Sequence, residues 1–255
     1  MVKTGHDQAE HRIRLEWGPT GGAVVARRAD VAVVVDVLSF STTVTVAVER
    51  GITVFPYRWR DARAGEYAEE HQANLALQRQ DARYRAGAVS LSPGSLQTAT
   101  GIERLVLPSP NGSTICAELA GSGTEVVVGC LRNASAVTEW LRPRLDGGAV
   151  VAVVPAGERW PDGSLRPCAE DLWGAGAVLA GLDPALMSPE ARLARDAYGE
   201  FEARPLEHLS TCAGGVELAA AGFAHDVAIA GRLHTSDVVP VLRGDAFTAA
   251  SPPAS

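Results

Sequence analysis

Residues 31–43 read VAVVVDVLSFSTT. Five apolar residues, four of them valine, lead into Asp36. Two more apolar residues follow, and four of the next five carry hydroxyls: Ser39, Ser41, Thr42 and Thr43. A short β-branched run bounded by polar segments reads as a strand buried on both faces, which is the habit of parallel sheets. The hydroxyls then read as the opening of a helix, because Ser and Thr are preferred where a helix begins. Asp36 is the anomaly, since an acid inside a buried strand is costly unless something offsets its charge.

Working outward, the same kind of run recurs at residues 52–55, 105–107, 125–128 and 150–154, with a weaker one at 238–242. Stretches of helical period separate them at 42–50, 62–79, 113–120, 134–145 and 170–182. Parallel strands require such crossovers, so the pattern predicts an α/β fold. The expected architecture is a mostly parallel sheet with helices on both faces and a helical C-terminal portion, with helices at 189–204 and 215–232. Residues 83–102, rich in Gly, Ser, Ala and Thr around Pro93, are expected to form a long functional loop. The tail at 249–255 is expected to fray. The chain reads as a single domain over 1–255, with a division into subdomains at about 1–187 and 188–255 left open.

Composition narrows the function. With 46% hydrophobic and 21% charged residues, the chain has the make-up of an ordinary globular protein. No apolar run is long enough to span a bilayer, and the polar start MVKTGHDQAEHRIRLEW lacks the apolar core of a signal peptide. The expectation is a cytoplasmic protein that uses no membrane. Net charge is −7 with basic residues scattered, which argues against a nucleic-acid partner and for a small ligand. Self-association is left open. Cys116, Cys130, Cys168 and Cys212 lie far apart without CxxC pairs, as reduced and mostly buried thiols would.

In open α/β sheets ligands bind beyond the carboxyl ends of strands. After the first run come Asp36 and Ser41–Thr43; after 105–107 comes PSPNGST, with Asn111, Gly112, Ser113 and Thr114; after 125–128 come Arg132 and Asn133; after 150–154 come Gly157, Glu158, Asp162, Glu170 and Asp171. All four segments are expected on one rim. Asn111–Thr114 and Ser41–Thr43 resemble anion cradles, because a helix N-terminus offers unpaired N–H groups and partial positive charge. Helix capping is the rival reading of both. Asp36, Glu158 and one of Glu170 or Asp171 suit Mg²⁺, which takes a few carboxylates, waters and phosphate oxygens.

Other phosphate chemistries fail on spacing. A haloacid-dehalogenase-type site needs a second Asp at the position of Leu38. A cysteine phosphatase needs Arg six residues after its Cys, where this chain has Ser122, Ala136, Gly174 and Leu218. Neither a Walker loop nor a GxGxxG after the first run is present.

The ordered segments DVLSFSTTVTVAVERG, LSPGSL, LPSPNGSTICAELAG, VVVGCLRNASAV, VPAGERWPDGSLRPCAEDLWGAGAVL and GVELAAAGFAHDV…DVVPVL resemble the 2-phosphosulfolactate phosphatase family over most of residues 31–242. The resemblance implies an α/β, Mg²⁺-dependent phosphatase that converts 2-phospho-3-sulfolactate to 3-sulfolactate and phosphate in coenzyme M biosynthesis. It places Asp36 on the family's DVLRATTT aspartate, Ser41, Thr42 and Thr43 on its hydroxyl run, and Asn111, Gly112, Ser113 and Thr114 on its TTNGT segment. Asn133 falls on its LNA turn, Gly157 on its AG turn, and Glu170 with Asp171 on its EDL. The roles expected are catalysis for Asp36, Asn111, Ser113 and Thr114; substrate binding for Ser41, Thr42, Thr43, Gly112, Arg132, Asn133 and Gly157; and metal binding for Asp36, Glu158, Glu170 and Asp171. Three departures stand out. Ser39 and Phe40 follow Asp-Val-Leu where the family has Arg, its Gly-Gly-Glu-Arg stretch is not recognisable, and Val216 replaces the Arg of its SGREL-like segment. Arg132, Arg159 and Arg83 are the candidates to restore the lost positive charge. The alternatives are a phosphatase for another small phosphorylated 2-hydroxy acid, or a family member that binds an anion without turning it over.

Overall fold

The computed structural model describes residues 5–58, 61, 63–85 and 87–250. Ala62, at the start of one expected helix, and most of the expected frayed tail lie outside the described residues. The strands in chain order are β1 (Ile13–Leu15), β2 (Val31–Val35), β3 (Thr53–Tyr57), β4 (Asn74–Leu75), β5 (Arg104–Pro108), β6 (Glu125–Gly129), β7 (Val151–Pro155), β8 (Glu158–Arg159), β9 (Leu165–Arg166), β10 (Pro240–Arg243) and β11 (Ala246–Ala249). The helices are α1 (Gly18–Val25), α2 (Phe40–Glu49), α3 (Arg63–Glu70), α4 (Arg79–Ala82), α5 (Pro93–Gln97), α6 (Gly112–Ala120), α7 (Ala134–Asp146), α8 (Ala169–Leu179), α9 (Pro189–Phe201), α10 (Pro205–Thr211), α11 (Ala213–Ala220) and α12 (Ala224–Ala230).

Nine strands form one mixed sheet in the order β1-β7-β2-β6-β10-β11-β3-β5-β4, while β8 and β9 form a separate antiparallel ribbon. The sheet contains two parallel blocks, β1-β7-β2-β6 and β3-β5-β4. The C-terminal hairpin β10–β11 joins them and pairs antiparallel with β6 on one side and β3 on the other.

The valine-rich runs explain why helices cover both faces. Successive side chains on a strand point to opposite faces. Val31, Val33 and Val35 accordingly pack with Val127, Val151 and Val153 under α7, α8 and α9. Ala32 and Val34 pack with Val126, Val128, Ala152 and Val154 on the other face, against Val25 of α1, Val44 of α2 and Ile115 of α6. Leu209, Val227 and Val241, from the C-terminal portion, join the first layer.

Several expected boundaries change. Residues 62–79 are not one helix: α3 stops at Glu70, and β4 pairs with β5 before α4 begins. Residues 215–232 divide into α11 and α12, because Phe223 N–H turns back to Leu218 O at 2.7 Å and closes the first helix. The loop at 83–102 carries a short helix, α5, capped by the Ser92 hydroxyl, which accepts from Ser95 N–H. The weak run at 238–242 is a strand, but an antiparallel one. Among the described residues no helix is long and apolar enough to cross a membrane.

Asn133 stands where β6 turns into α7, and it acts as a bolt between strands. Its Oδ1 accepts from Cys130 N–H at 2.8 Å, and its Nδ2 donates to Val128 O at 3.2 Å and Val238 O at 3.1 Å. The side chain is fully buried, so nothing replaces those partners when it is removed. Asn133→Ala is expected to cost roughly 2–4 kcal/mol in denaturant unfolding, since each buried group left without a partner costs about 1–3 kcal/mol. A loss below about 0.5 kcal/mol, the range of ordinary surface changes, would remove Asn133 from this role.

Candidate active site

The β2 end, the α2 start, the α6 start and the β7 end are tied together by two carboxylates. Asp36 Oδ1 accepts from Phe40 N–H at 3.0 Å, and its Oδ2 accepts from Gly112 N–H at 3.1 Å. One acid thus serves the first turns of two helices, whose N–H groups have no partner within the helix. Asp171 Oδ1 accepts from Val37 N–H at 2.8 Å, and its Oδ2 accepts from Gly157 N–H at 2.8 Å. Gly112 permits the close approach, because a Cβ there would run into the Phe40 ring. Gly157 adopts a φ of +65°, a conformation that side chains disfavour.

These groups border a small cavity of about 90 Å³. Asp36, Glu158, Glu170 and Asp171 all line it, together with Asn111 and Gly157. Asn111 Nδ2 donates to Glu158 Oε1 at 2.9 Å. Glu170 is buried against Gly214. The expected metal residues are therefore neighbours in space, although Asp36 and Asp171 are separated by most of the sheet in sequence.

The hydroxyl run lies elsewhere. Ser41 Oγ donates to Val34 O at 3.0 Å and accepts from Asp36 N–H at 3.0 Å, and Thr42 Oγ1 donates to Val37 O at 2.8 Å. Thr43 is fully buried, and its Oγ1 has no hydrogen-bond partner among the described residues. Ser41 and Thr42 therefore fasten the strand end to α2, and the run does not line the cavity. Ser113 Oγ likewise donates to Leu107 O at 3.2 Å, and Thr114 lies behind it in α6. The segment after β6 does not reach the site. Asn133 is committed to the backbone, and Arg132 turns to Glu49 at 3.3 Å and Ile229 O at 3.4 Å.

The cations that do border the cavity are Arg79 and Arg166. Neither was expected from sequence. Arg166 had a legible signal, since Pro161-Asp162-Gly163 marks a turn and the resulting β8–β9 ribbon pairs Glu158 directly with Arg166. Arg79 had none, because it arrives from the far block of the sheet. Of the arginines expected to restore charge, Arg159 reaches Gly163 O at 3.4 Å and Arg83 lies 4.4 Å from the Phe223 ring centre. A second cavity of about 520 Å³ adjoins the first and shares Arg79, Glu217 and Leu218 with it.

The model of the 2-phosphosulpholactate phosphatase family matches residues 23–245. The chain belongs to this family. It is accordingly a phosphoric monoester hydrolase by family, and the matched span contains every residue of the cavity.

Burial and the gathering of these acids raise two of their carboxyls. Burial raises the Asp36 carboxyl to about 6, with Glu158 and Glu170 adding repulsion against the lowering effect of its two N–H bonds. Burial, Asp36 and Glu170 raise Asp171 well above the ordinary carboxylate range. A hard divalent cation is the chemistry that relieves such repulsion. Among the described residues no three His, Cys, Asp or Glu side chains are gathered to hold an ion by themselves. Mg²⁺ does not demand that, since it is bound through one or two carboxylates with waters and substrate phosphate completing its shell. Burial and the neighbouring acids also push the Cys168 thiol up, which leaves it protonated and a poor nucleophile near neutrality.

The raised Asp36 carboxyl has a pH signature. A folded state that holds the proton more tightly than the unfolded chain loses stability as pH rises between the two values, from 3.8 to about 6. In metal-free buffer, Asp36→Asn should therefore gain on the wild type as pH climbs from about 4 to about 7, by on the order of 3 kcal/mol at about 1.4 kcal/mol per unit. Denaturant titrations of both proteins across that range check it. A constant gap between them would show that Asp36 titrates normally.

Proposed function

We propose that this chain is a Mg²⁺-dependent phosphatase acting on 2-phospho-3-sulfolactate and releasing 3-sulfolactate and phosphate, in the cytoplasm. The observation that carries the proposal is the convergence of Asp36, Glu158, Glu170 and Asp171 with Asn111 on one small cavity inside the family-matched span. The helix starts at Phe40 and Gly112 both give their N–H groups to the Asp36 carboxylate.

Asp36 with Glu158 or Asp171 would hold the ion as its one pair of carboxylates, and a bound Mg²⁺ would supply charge neutralisation at the phosphate. With its carboxyl near 6, Asp36 is mostly ionised at pH 7 and so ready to hold a cation. Asn111 lies at the cavity edge, where its amide can turn from Glu158 to a phosphoryl oxygen. The α6 N-terminus behind it adds partial positive charge where the transferred group gathers negative charge. Water is the nucleophile: its oxygen attacks phosphorus, the ester P–O bond breaks, and the departing oxygen takes up the proton that the water gives up, becoming the 2-hydroxyl. Arg79 and Arg166 counter the charge of an anionic substrate entering among five acids, Glu217 being the fifth.

The second reading keeps this chemistry and changes the substrate to another small phosphorylated 2-hydroxy acid. Ser39, Phe40 and Val216, which stand where the resemblance implies arginines, favour it, because a hydroxyl or an apolar side chain cannot grip an anion as a guanidinium does.

Phosphate release from 2-phospho-3-sulfolactate by the purified protein is expected with Mg²⁺, to cease with a chelator and to return on adding Mg²⁺. Asp36→Asn, verified as folded by circular dichroism, should lower kcat by roughly 100-fold or more, the size of a few kcal/mol of lost transition-state stabilisation. Equal rates for the variant and the wild type would remove Asp36 from the mechanism. Tight binding of the substrate without any release would identify an anion-binding relative instead.

A further inference from the structure

Ser39 follows Asp36-Val37-Leu38 directly, and its Oγ accepts a hydrogen bond from Arg79 Nη2. Arg79 opens α4, a short helix whose chain comes from beyond β4. The same guanidinium is held from a second side by Asp226 of α12, with Nε 3.5 Å from Oδ2. The Phe223 ring centre lies 5.5 Å from it on a third side.

Asp226 is itself fixed. It is buried, and its Oδ1 accepts from Ser92 Oγ at 2.7 Å and from Gly94 N–H at 3.2 Å, both in the LSPGSL loop. Arg79 is therefore a positioned guanidinium rather than a free surface side chain, with only 19% of its side chain exposed. Its position is informative as well. It lines the small acidic cavity and the larger neighbouring one, so it stands where a substrate group extending from the phosphoryl end toward the larger cavity passes.

We propose that Arg79 reads the second acidic group of the substrate, a carboxylate or sulfonate near the phosphoester carbon, and that Asp226 is its positioning residue. This rests on the phosphatase reading of the same cavity. A phosphoester bearing further acids is strongly anionic, and the cavity walls present Asp36, Glu158, Glu170, Asp171 and Glu217. A cation must meet the remote end as well as the phosphate. Arg166 stands opposite Glu158 in the β8–β9 ribbon, which leaves Arg79 at the junction of the two cavities to take that end. A guanidinium can give such an acid two parallel N–H bonds, but only if its plane is held, and Asp226 supplies the hold. Arg79 thereby brings positive charge beside Asp36-Val37-Leu38 from another element, with Ser39 as its docking point.

The test compares phosphate release with Mg²⁺ from three esters: 2-phospho-3-sulfolactate, 2-phospholactate and isopropyl phosphate, which carry two, one and no further acids. Arg79→Ala is expected to lower kcat/KM on the acid-bearing esters by roughly tenfold or more beyond its effect on isopropyl phosphate, mainly through KM, with Arg79→Lys recovering part of the difference. A selective loss between the first two esters assigns the contact to sulfonate, and one between the last two assigns it to carboxylate. Asp226→Asn, which keeps an acceptor for Ser92 and Gly94, should show the same substrate-dependent rise in KM with little change in kcat. An equal loss on all three esters by Arg79→Ala would overturn the proposal and leave Arg79 a purely structural residue. If the wild type hydrolyses none of the three, the phosphatase reading fails, and calorimetric binding of 3-sulfolactate decides the role of Arg79 independently. Binding weakened roughly tenfold by Arg79→Ala supports the role, while equal binding, or none by the wild type, overturns it.

Discussion

The site depends on the carboxylate of Asp36 and its two backbone hydrogen bonds. One oxygen takes the N–H of Phe40 and the other that of Gly112, so one buried acid fixes the starts of α2 and α6 at the end of β2. Asp171 repeats the device one strand over, taking Val37 and Gly157. Together the two acids join four chain segments that the sheet alone would leave as separate loops. Neither interaction is cheap, since burial pushes both carboxyls up, helped by Glu158 and Glu170 at Asp36 and by Asp36 and Glu170 at Asp171. Under the proposed function a bound cation would offset that cost.

The same economy of parts appears in the groups around the acids. Ser41 and Thr42, which a motif reading assigns to phosphate, instead spend their hydroxyls on Val34 and Val37 and secure the strand that carries Asp36. Their contribution to function is to hold the carboxylate, with the helix N–H groups facing it. Positive charge comes from outside the motif segments. Arg166 is supplied by a ribbon that folds over the site after β7, and Arg79 by a helix reached through β4.

How legible this was in the sequence followed from how local each signal is. The longer parallel strands and most of the helices that cross over between them could be read, because burial on two faces leaves continuous valine-rich runs and burial on one leaves a helical period. β1, α1, α10 and β11 were not foreseen, and expectation failed at 62–79 and 215–232, where a helical composition concealed a short strand and a helix break. Both are short elements fixed by pairing or by a closing turn rather than by propensity. In the site, Asp36, Glu158, Glu170, Asp171, Asn111 and Gly157 were legible because each follows a strand and stands on the cavity. Arg132 and Asn133 also follow a strand, yet β6 delivers them beside the hairpin, where Asn133 is claimed by Val238 O and Arg132 by Glu49.

By itself the sequence determined the alternation of strands and helices, the two-faced core and the placing of acids at strand ends, because those depend on the order of apolar and polar residues along the chain. Only the tertiary structure decided which of the strand-end residues share a cavity and which cations face them. Those outcomes depend on the strand order and on the antiparallel hairpin between the two blocks, which bring Arg79 to Ser39 across 40 residues and Asp171 to Val37 across 134. No local pattern encodes such distances, because they arise from how separate elements pack.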